Sequence, residues 1–189
     1  AAESTMDGHD VLKAVLRADI NNLQATLDEV DQDNFDQAVD MILSAKHIYI
    51  IGMRTSTTLA DFLGIYLKLL LDNVTVVKEI AAREVYEQML RIGEGDLIIG
   101  ISFPRYSTAT GKALQYCREA GAQVIALTDS ETAPIARSAH YLLTAKSDMV
   151  SLVDSLVALT SRRKHETAQT LDRLEQVWDQ YHVYEKVHI

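Results

Sequence analysis

The chain has 189 residues, 48% of them apolar, with only eight glycines and two prolines; that suffices for one domain with a real core and excludes disordered and collagen-like classes. The formal charge is −9 and there is one cysteine, Cys117, so this stretch is not built to grip a phosphate backbone, which needs clustered Lys and Arg, and it forms no internal disulfide. No apolar run approaches the roughly 20 residues of a membrane span, no basic-then-apolar leader opens the sequence, and a cytoplasmic location is the expectation.

The first predicted element covers roughly residues 10 to 30. Leu12, Leu16, Ile20, Leu23, Leu27 and Val30 step by three and four, a helical stripe with polar residues on the other sides. Asp31 to Asn34 read as a break, and Phe35, Ala38, Val39, Ile42 and Leu43 define a second, short helix. The period then changes. HIYIIG (47–52), NVTVV (73–77), DLIIGIS (96–102), QVIALT (123–128) and HYLLT (140–144) are short apolar runs. Their unbroken apolar character predicts strands buried on both faces. Between them lie helical patterns: Leu59, Phe62, Leu63, Tyr66, Leu69 and Leu70; then Val85, Met89 and Leu90; then Ala113, Leu114, Tyr116, Cys117 and Ala120. Strand and helix alternate about five times, which predicts a doubly wound parallel α/β sheet. Gly93, Gly95 and Gly121 fit helix ends and turns. In SLVDSLVALTSRRKHET the apolar part stops at Leu159–Thr160, which leaves either a short helix or residues missing between Thr160 or Ser161 and Arg162. From Arg162 onward Ala168, Leu171, Leu174, Val177 and Tyr181 mark a last amphipathic helix.

In open α/β sheets, ligands sit outside the carboxyl ends of the strands. Two loops at such ends stand out, Gly52-Met53-Arg54-Thr55-Ser56-Thr57-Thr58 and GISFPRYSTATG (100–111). Each sets hydroxyls and one arginine where a strand turns into a helix. A helix start attracts anions, Ser and Thr add short donors, and Arg offers a fork that matches phosphate or carboxylate oxygens. The candidate binding residues are Gly52, Arg54, Thr55 and Ser56 in the first loop, and Ser102, Arg105, Ser107, Thr108 and Thr110 in the second. The competing reading is that Ser and Thr are helix caps and Pro104 sets a tight turn. Two such loops, each with an arginine, favour binding. There is no His pair at metal-ligand spacing, no P-loop and no dinucleotide fingerprint, so no metal or cofactor is expected. Cys117 lies on an apolar helical face and reads as core.

IYIIGMRTS, GDLIIGISFPRYSTAT, GAQVIALTDSETAPIARSAHYLL and the tail RLEQVWDQYHVYEK together resemble the SIS (sugar isomerase) domain, specifically the sugar-phosphate-sensing domain of RpiR/MurR-type transcriptional regulators. The resemblance runs from about residue 35 to the end. It implies a flavodoxin-like five-stranded parallel sheet with helices on both faces. It implies an SIS domain over residues 32–189, preceded by a connector helix over 1–31 or, as readily, a plain packing helix. SIS loops commonly read Gly-x-Gly-x-Ser and Ser-x-Ser-Gly-x-Thr. Gly52 and Ser56 match the first pattern, Ser102 the first serine of the second, and Ser107 stands at its threonine. Arg54 replaces the second glycine, Pro104 the second serine and Arg105 the glycine after it. We expect the two arginines to offset the lost donor and to shift preference towards a sugar acid or a phosphorylated acid.

The resemblance also covers isomerases, which use Glu and His near the phosphate. Candidates are Glu79, Glu84, Glu87 and His165. Glu84 and Glu87 read equally as the solvated side of a helix, His165 as an exposed residue of a charged helix start, and His47 and His140 as incidental. A ligand sensor without turnover is therefore the expectation, with a phosphosugar isomerase as the alternative. The resemblance further implies a homodimer or tetramer with sites near the subunit interface, and contact with DNA only through a helix-turn-helix domain that this chain does not contain.

Overall fold

In a computed structural model, which describes residues 8–78, 82–146, 149–164 and 167–180, the apolar runs become five strands. They are β1 (Ile48–Gly52), β2 (Val74–Val77), β3 (Leu97–Ile101), β4 (Gln123–Thr128) and β5 (Tyr141–Thr144). Their order is β2-β1-β3-β4-β5 and every pairing is parallel, with Ile50 beside Val76 on one side and Ile99 on the other. The expected doubly wound, flavodoxin-like sheet is therefore present. His47, Asn73, Asp96, Ser102 and His140 stand just outside the strands rather than within them.

β1 and β3 are buried at every position, and β4 at every position after Gln123. That is why these runs carry no polar alternation. The edge strands β2 and β5 are only partly buried. Successive side chains go to opposite layers. Ile48, Ile50, Leu97, Ile99 and Ile101 pack with α2 (Gln32–Ser44), α3 (Thr57–Leu70) and α6 (Met149–Arg163). Tyr49, Ile51, Ile98, Val124 and Ala126 pack with α4 (Ala82–Gln88) and α5 (Thr108–Glu119). Each such aliphatic side chain contributes about 1.5–3 kcal/mol by burial. Cys117 is core, as expected. Burial pushes its thiol up to about 12, and it donates to the Met89 sulfur at 3.7 Å.

α1 (Gly8–Glu29) is a helix as predicted, and of its apolar stripe Leu12, Leu16, Ile20, Leu23 and Leu27 are exposed. Other expectations need correction. The break after α1 is shorter than expected, because Asp31 caps α2 by accepting from Asn34 N–H at 3.0 Å. On α3 the face against the sheet is Ala60, Leu63, Gly64, Leu67 and Leu70, while Tyr66 is exposed. Gly64 lies so close to β2 that an added Cβ would stand 2.1 Å from Val76 Cγ2. Small residues thus make the tightest contact, and a stripe of large residues misses them. Leu90, expected within the helical pattern of Val85 and Met89, is 71% exposed just beyond α4. Gly95 (φ +89°) and Gly121 (φ +92°) use glycine's freedom, whereas Gly93 does not. α6 continues through Thr160 and Ser161 to Arg163, so Arg162 closes this helix rather than opening the next, α7 (Thr167–Gln180). Tyr181, Glu79 and His165 lie outside the described residues. Among the described residues no helix is long and apolar enough to cross a membrane.

Candidate functional site

The strand order reverses between β1 and β3. The chain leaves β1 for α3 on one face and leaves β3 for α5 on the other, so the two connections diverge and open a crevice at the sheet's carboxyl edge. A cavity of about 170 Å³ fills that crevice, walled by Met53, Arg54, Thr55, Ser56, Ser102, Phe103, Pro104, Arg105 and Ser107. The two loops picked out by sequence meet here. Of the candidate residues, Arg54, Thr55, Ser56, Ser102, Arg105 and Ser107 line the cavity.

Gly52, Thr108 and Thr110 are not among its walls. Gly52 ends β1, where a Cβ would stand 2.4 Å from the Ser56 carbonyl oxygen. It lets the 3₁₀ turn Arg54–Ser56 fold back against the strand, and its own carbonyl accepts from the Thr57 hydroxyl at 2.9 Å. Thr108 is exposed on the first turn of α5. Thr110 is fully buried and its Oγ1 has no hydrogen-bond partner among the described residues.

The capping alternative holds for one serine and fails for another. Ser107 caps α5, its Oγ accepting from Thr110 N–H. Ser56 precedes α3 without a side-chain capping bond, yet it is buried. Ser102 is only 2% exposed; its Oγ accepts from Ser107 N–H at 3.3 Å. A hydroxyl used as an acceptor still has its proton to donate. The cavity therefore gathers short hydroxyls and the starts of two helices, of 14 and 12 residues, whose N-termini attract negative charge.

The two arginines occupy an uncommon conformation. Arg54 has φ 57° and Arg105 φ 66°, and among the described residues these are the non-glycine residues with positive φ. A left-handed non-glycine residue costs roughly 1–2 kcal/mol. Both positions are where the SIS pattern carries glycine. The backbone there adopts a conformation that suits glycine, and it places two exposed arginines in the wall of the cavity.

Sequence reasoning missed a second wall. A cavity of about 330 Å³ shares Thr55, Ser56, Phe103 and Pro104 with the first and ends on Leu59, Asp129 and Lys146. Both charged residues follow the carboxyl ends of strands, β4 and β5, and that position is the signal that points to them. Asp129 Oδ1 accepts from the Tyr106 hydroxyl at 2.8 Å, which ties the β3–α5 loop to β4. The Thr128 hydroxyl lies 3.2 Å from the same oxygen and donates to the Ser102 carbonyl at 2.8 Å. Lys146 Nζ pairs with Glu29 Oε2 of α1 at 2.6 Å, both side chains about half exposed, an arrangement worth about 0–1 kcal/mol.

The hydrogen bond to Asp129, and then burial, raise the Tyr106 phenol above its ordinary value of 10. The neutral phenol is the stabilising form. Its contribution is therefore complete below pH 10 and is lost as pH rises through the raised value. Tyr106→Phe should lower stability by about 1 kcal/mol at pH 7. Urea unfolding at a series of pH values should show this deficit shrinking at strongly alkaline pH.

The acid–base candidates are scattered. Glu87 pairs with Arg83 at 2.6 Å on the outside of α4, and Glu84 is partly buried in the first turn of that helix. His47 and His140 precede β1 and β5, at the opposite edge of the sheet. His47 Nε2 meets the Thr75 hydroxyl at 2.9 Å, and His140 Nδ1 accepts from Val124 N–H at 3.0 Å. Burial, then the nearby Arg118, lower the His140 pKa.

A family model described as "SIS domain" matches residues 41–165. Among solved structures, the sugar isomerase domain of an RpiR transcription factor from Sphaerobacter thermophilus is 30% identical, with a TM-score of 0.79 over 86% of this chain and 97% of that one. The Vibrio vulnificus NanR protein complexed with ManNAc-6P has a TM-score of 0.80 at 17% identity, over 92% of this chain and 70% of that one. Phosphoheptose isomerase GmhA from Neisseria gonorrhoeae has a TM-score of 0.72 at 17% identity, over 80% and 98%. These last two likenesses are of fold. An uncharacterized HTH-type transcriptional regulator of Clostridium perfringens is 26% identical over 70% of this chain. The chain spans 47% of the length of this regulator and of a second one from Haemophilus influenzae.

Proposed function

The chain belongs to the SIS domain family, and from that premise we propose that it is the effector-binding part of a bacterial transcriptional regulator of carbohydrate metabolism. The effector is a sugar phosphate or sugar acid held between the β1–α3 and β3–α5 loops. One observation carries this reading: Ser56, Ser102 and Ser107 converge with Arg54 and Arg105 on one cavity at the strand-order reversal. The phosphorylated sugar on NanR supports the ligand class, and the regulator named in Clostridium perfringens supports the setting.

In this reading α1 (within residues 1–31) is the connector from a DNA-binding helix-turn-helix segment outside this chain, and residues 32–189 are the sensing domain. The exposed apolar stripe of α1 suits pairing in a homodimer or tetramer, in the cytoplasm. Ligand binding then favours one arrangement of the regulator over another by its difference in affinity for the two.

The site binds without turnover. The histidines of the described residues that have a side-chain partner, His47 and His140, are tied down at the far edge of the sheet, and Glu87 is engaged on the surface. Titration calorimetry with inorganic phosphate and hexose phosphates is the direct test. Ser102→Ala should weaken binding by about tenfold or more; equal affinity in the variant would remove Ser102 from the site. Isomerisation of a sugar phosphate, abolished in Glu84→Gln, would establish the enzyme instead. In the intact regulator, operator affinity unchanged by ligand would end the sensor reading.

A further inference from the structure

We propose that the cavity ending on Lys146 is a second anion subsite, and that a ligand occupying it takes Lys146 away from Glu29 of α1. The proposal rests on the reading of Ser56, Ser102 and Ser107 as the seat of a phosphate. The two cavities share Thr55, Ser56, Phe103 and Pro104, so one molecule can occupy both. Its phosphate lies among the serines and the two left-handed arginines; its far end reaches Lys146.

The far end is a carboxylate. Lys146 already has a charged partner, Glu29 Oε2 at 2.6 Å. A carboxylate competes for that place better than a neutral sugar hydroxyl, because charge-assisted hydrogen bonds are about twice as strong as neutral ones. A carboxylate exchanges like for like, and binding of the phosphate end holds it in position. Asp129, on the same wall, carries a like charge that opposes an acid there, so the preference that Lys146 gives is net of that repulsion. Asp129 Oδ1 already accepts from Tyr106 at 2.8 Å and lies 3.2 Å from the Thr128 hydroxyl. The ligand class is thus a phosphorylated sugar acid.

The exchange reaches α1 because Lys146 is one of its attachments. The backbone N–H of Lys146 donates to Thr26 Oγ1 at 3.1 Å, one turn before Glu29. Most of the apolar stripe of α1 is exposed, and a cavity of about 280 Å³ lies beneath Leu23, Leu27 and Val30. The helix is held to the domain by few apolar contacts, so loss of the Glu29 ion pair loosens it.

The test uses the 189-residue chain and three probes: inorganic phosphate, glucose 6-phosphate and 6-phosphogluconate. Calorimetry should find the phosphorylated acid bound about tenfold more tightly than the sugar phosphate, the low end of what a hydrogen bond to a charged group contributes. Glu29→Gln should widen that margin several-fold while leaving affinity for inorganic phosphate unchanged, with circular dichroism checking that the variant is folded. Lys146→Met should erase the margin. Hydrogen exchange across α1 should quicken with the acid and not with phosphate. An acid that binds no tighter than the sugar phosphate, or a margin indifferent to Glu29→Gln, overturns the subsite while leaving the phosphate seat intact. No binding of any phosphate compound overturns the seat, and the subsite with it.

Discussion

Arg105→Gly should produce a more stable protein that binds its ligand about 10- to 100-fold more weakly. The loss follows from removing a charged donor at the cavity rim, since hydrogen bonds to charged groups contribute about 1.5–3 kcal/mol. The gain follows from the backbone. Arg105 has φ 66°, a conformation that glycine adopts without steric penalty, so the substitution should raise stability by about 0.5–1 kcal/mol after glycine's own entropic cost. Arg105→Ala separates the two effects: it removes the charge and keeps the strained conformation, so affinity falls with no gain in stability. Arg54→Gly (φ 57°) should behave like Arg105→Gly. Urea unfolding beside calorimetry measures both signs in one set of proteins. Undiminished affinity in Arg105→Gly would show that the arginine does not act on the ligand.

Gly52→Ala should damage fold and site together. The new Cβ would stand 2.4 Å from the Ser56 carbonyl oxygen and 2.8 Å from its carbon, and neither belongs to a flexible side chain. The turn must shift, at a cost of about 2 kcal/mol, which lowers the melting temperature by about 4–8 °C in a chain of this size. Because the displaced residue is Ser56, affinity should fall by more than tenfold as well. Gly111→Ala is the contrast. Gly111 lies within α5 and an added Cβ meets nothing within 4 Å, so it should stabilise by about 0.5–1 kcal/mol. A Gly52→Ala protein with the wild-type melting temperature would mean that the turn is not held against β1.

The sheet was legible because β1, β3 and β4 are covered on both faces, which leaves an unbroken apolar run in sequence. The two loops were legible because a hydroxyl-rich stretch with an arginine followed such a run. The face of α3 was not. Its contact with β2 is made by Gly64, and a pattern of large side chains gives small ones no weight. Leu90 was misplaced for a related reason, since the helix that would have buried it stops at Gln88. Lys146 carries no local motif, and Asp129 entered only as part of the stretch GAQVIALTDSETAPIARSAHYLL, with no site role; the strand order is what brings them beside Ser56. The left-handed backbone at Arg54 and Arg105 was hidden by the residue type. Arginine seldom adopts it, and only the glycines of the resembling pattern at those positions hint at it.

The burial of Cys117 makes the chain its own stopwatch. A thiol fully enclosed under α5, with its pKa pushed up to about 12, reacts with an alkylating reagent only in the fraction of molecules where α5 has left the sheet. The same helix begins at Ser107, in the wall of the cavity. A ligand that requires α5 in place, supplied at ten times its Kd, should slow alkylation about elevenfold. The rate of a single chemical reaction, followed by mass, would then report occupancy without any label on the ligand.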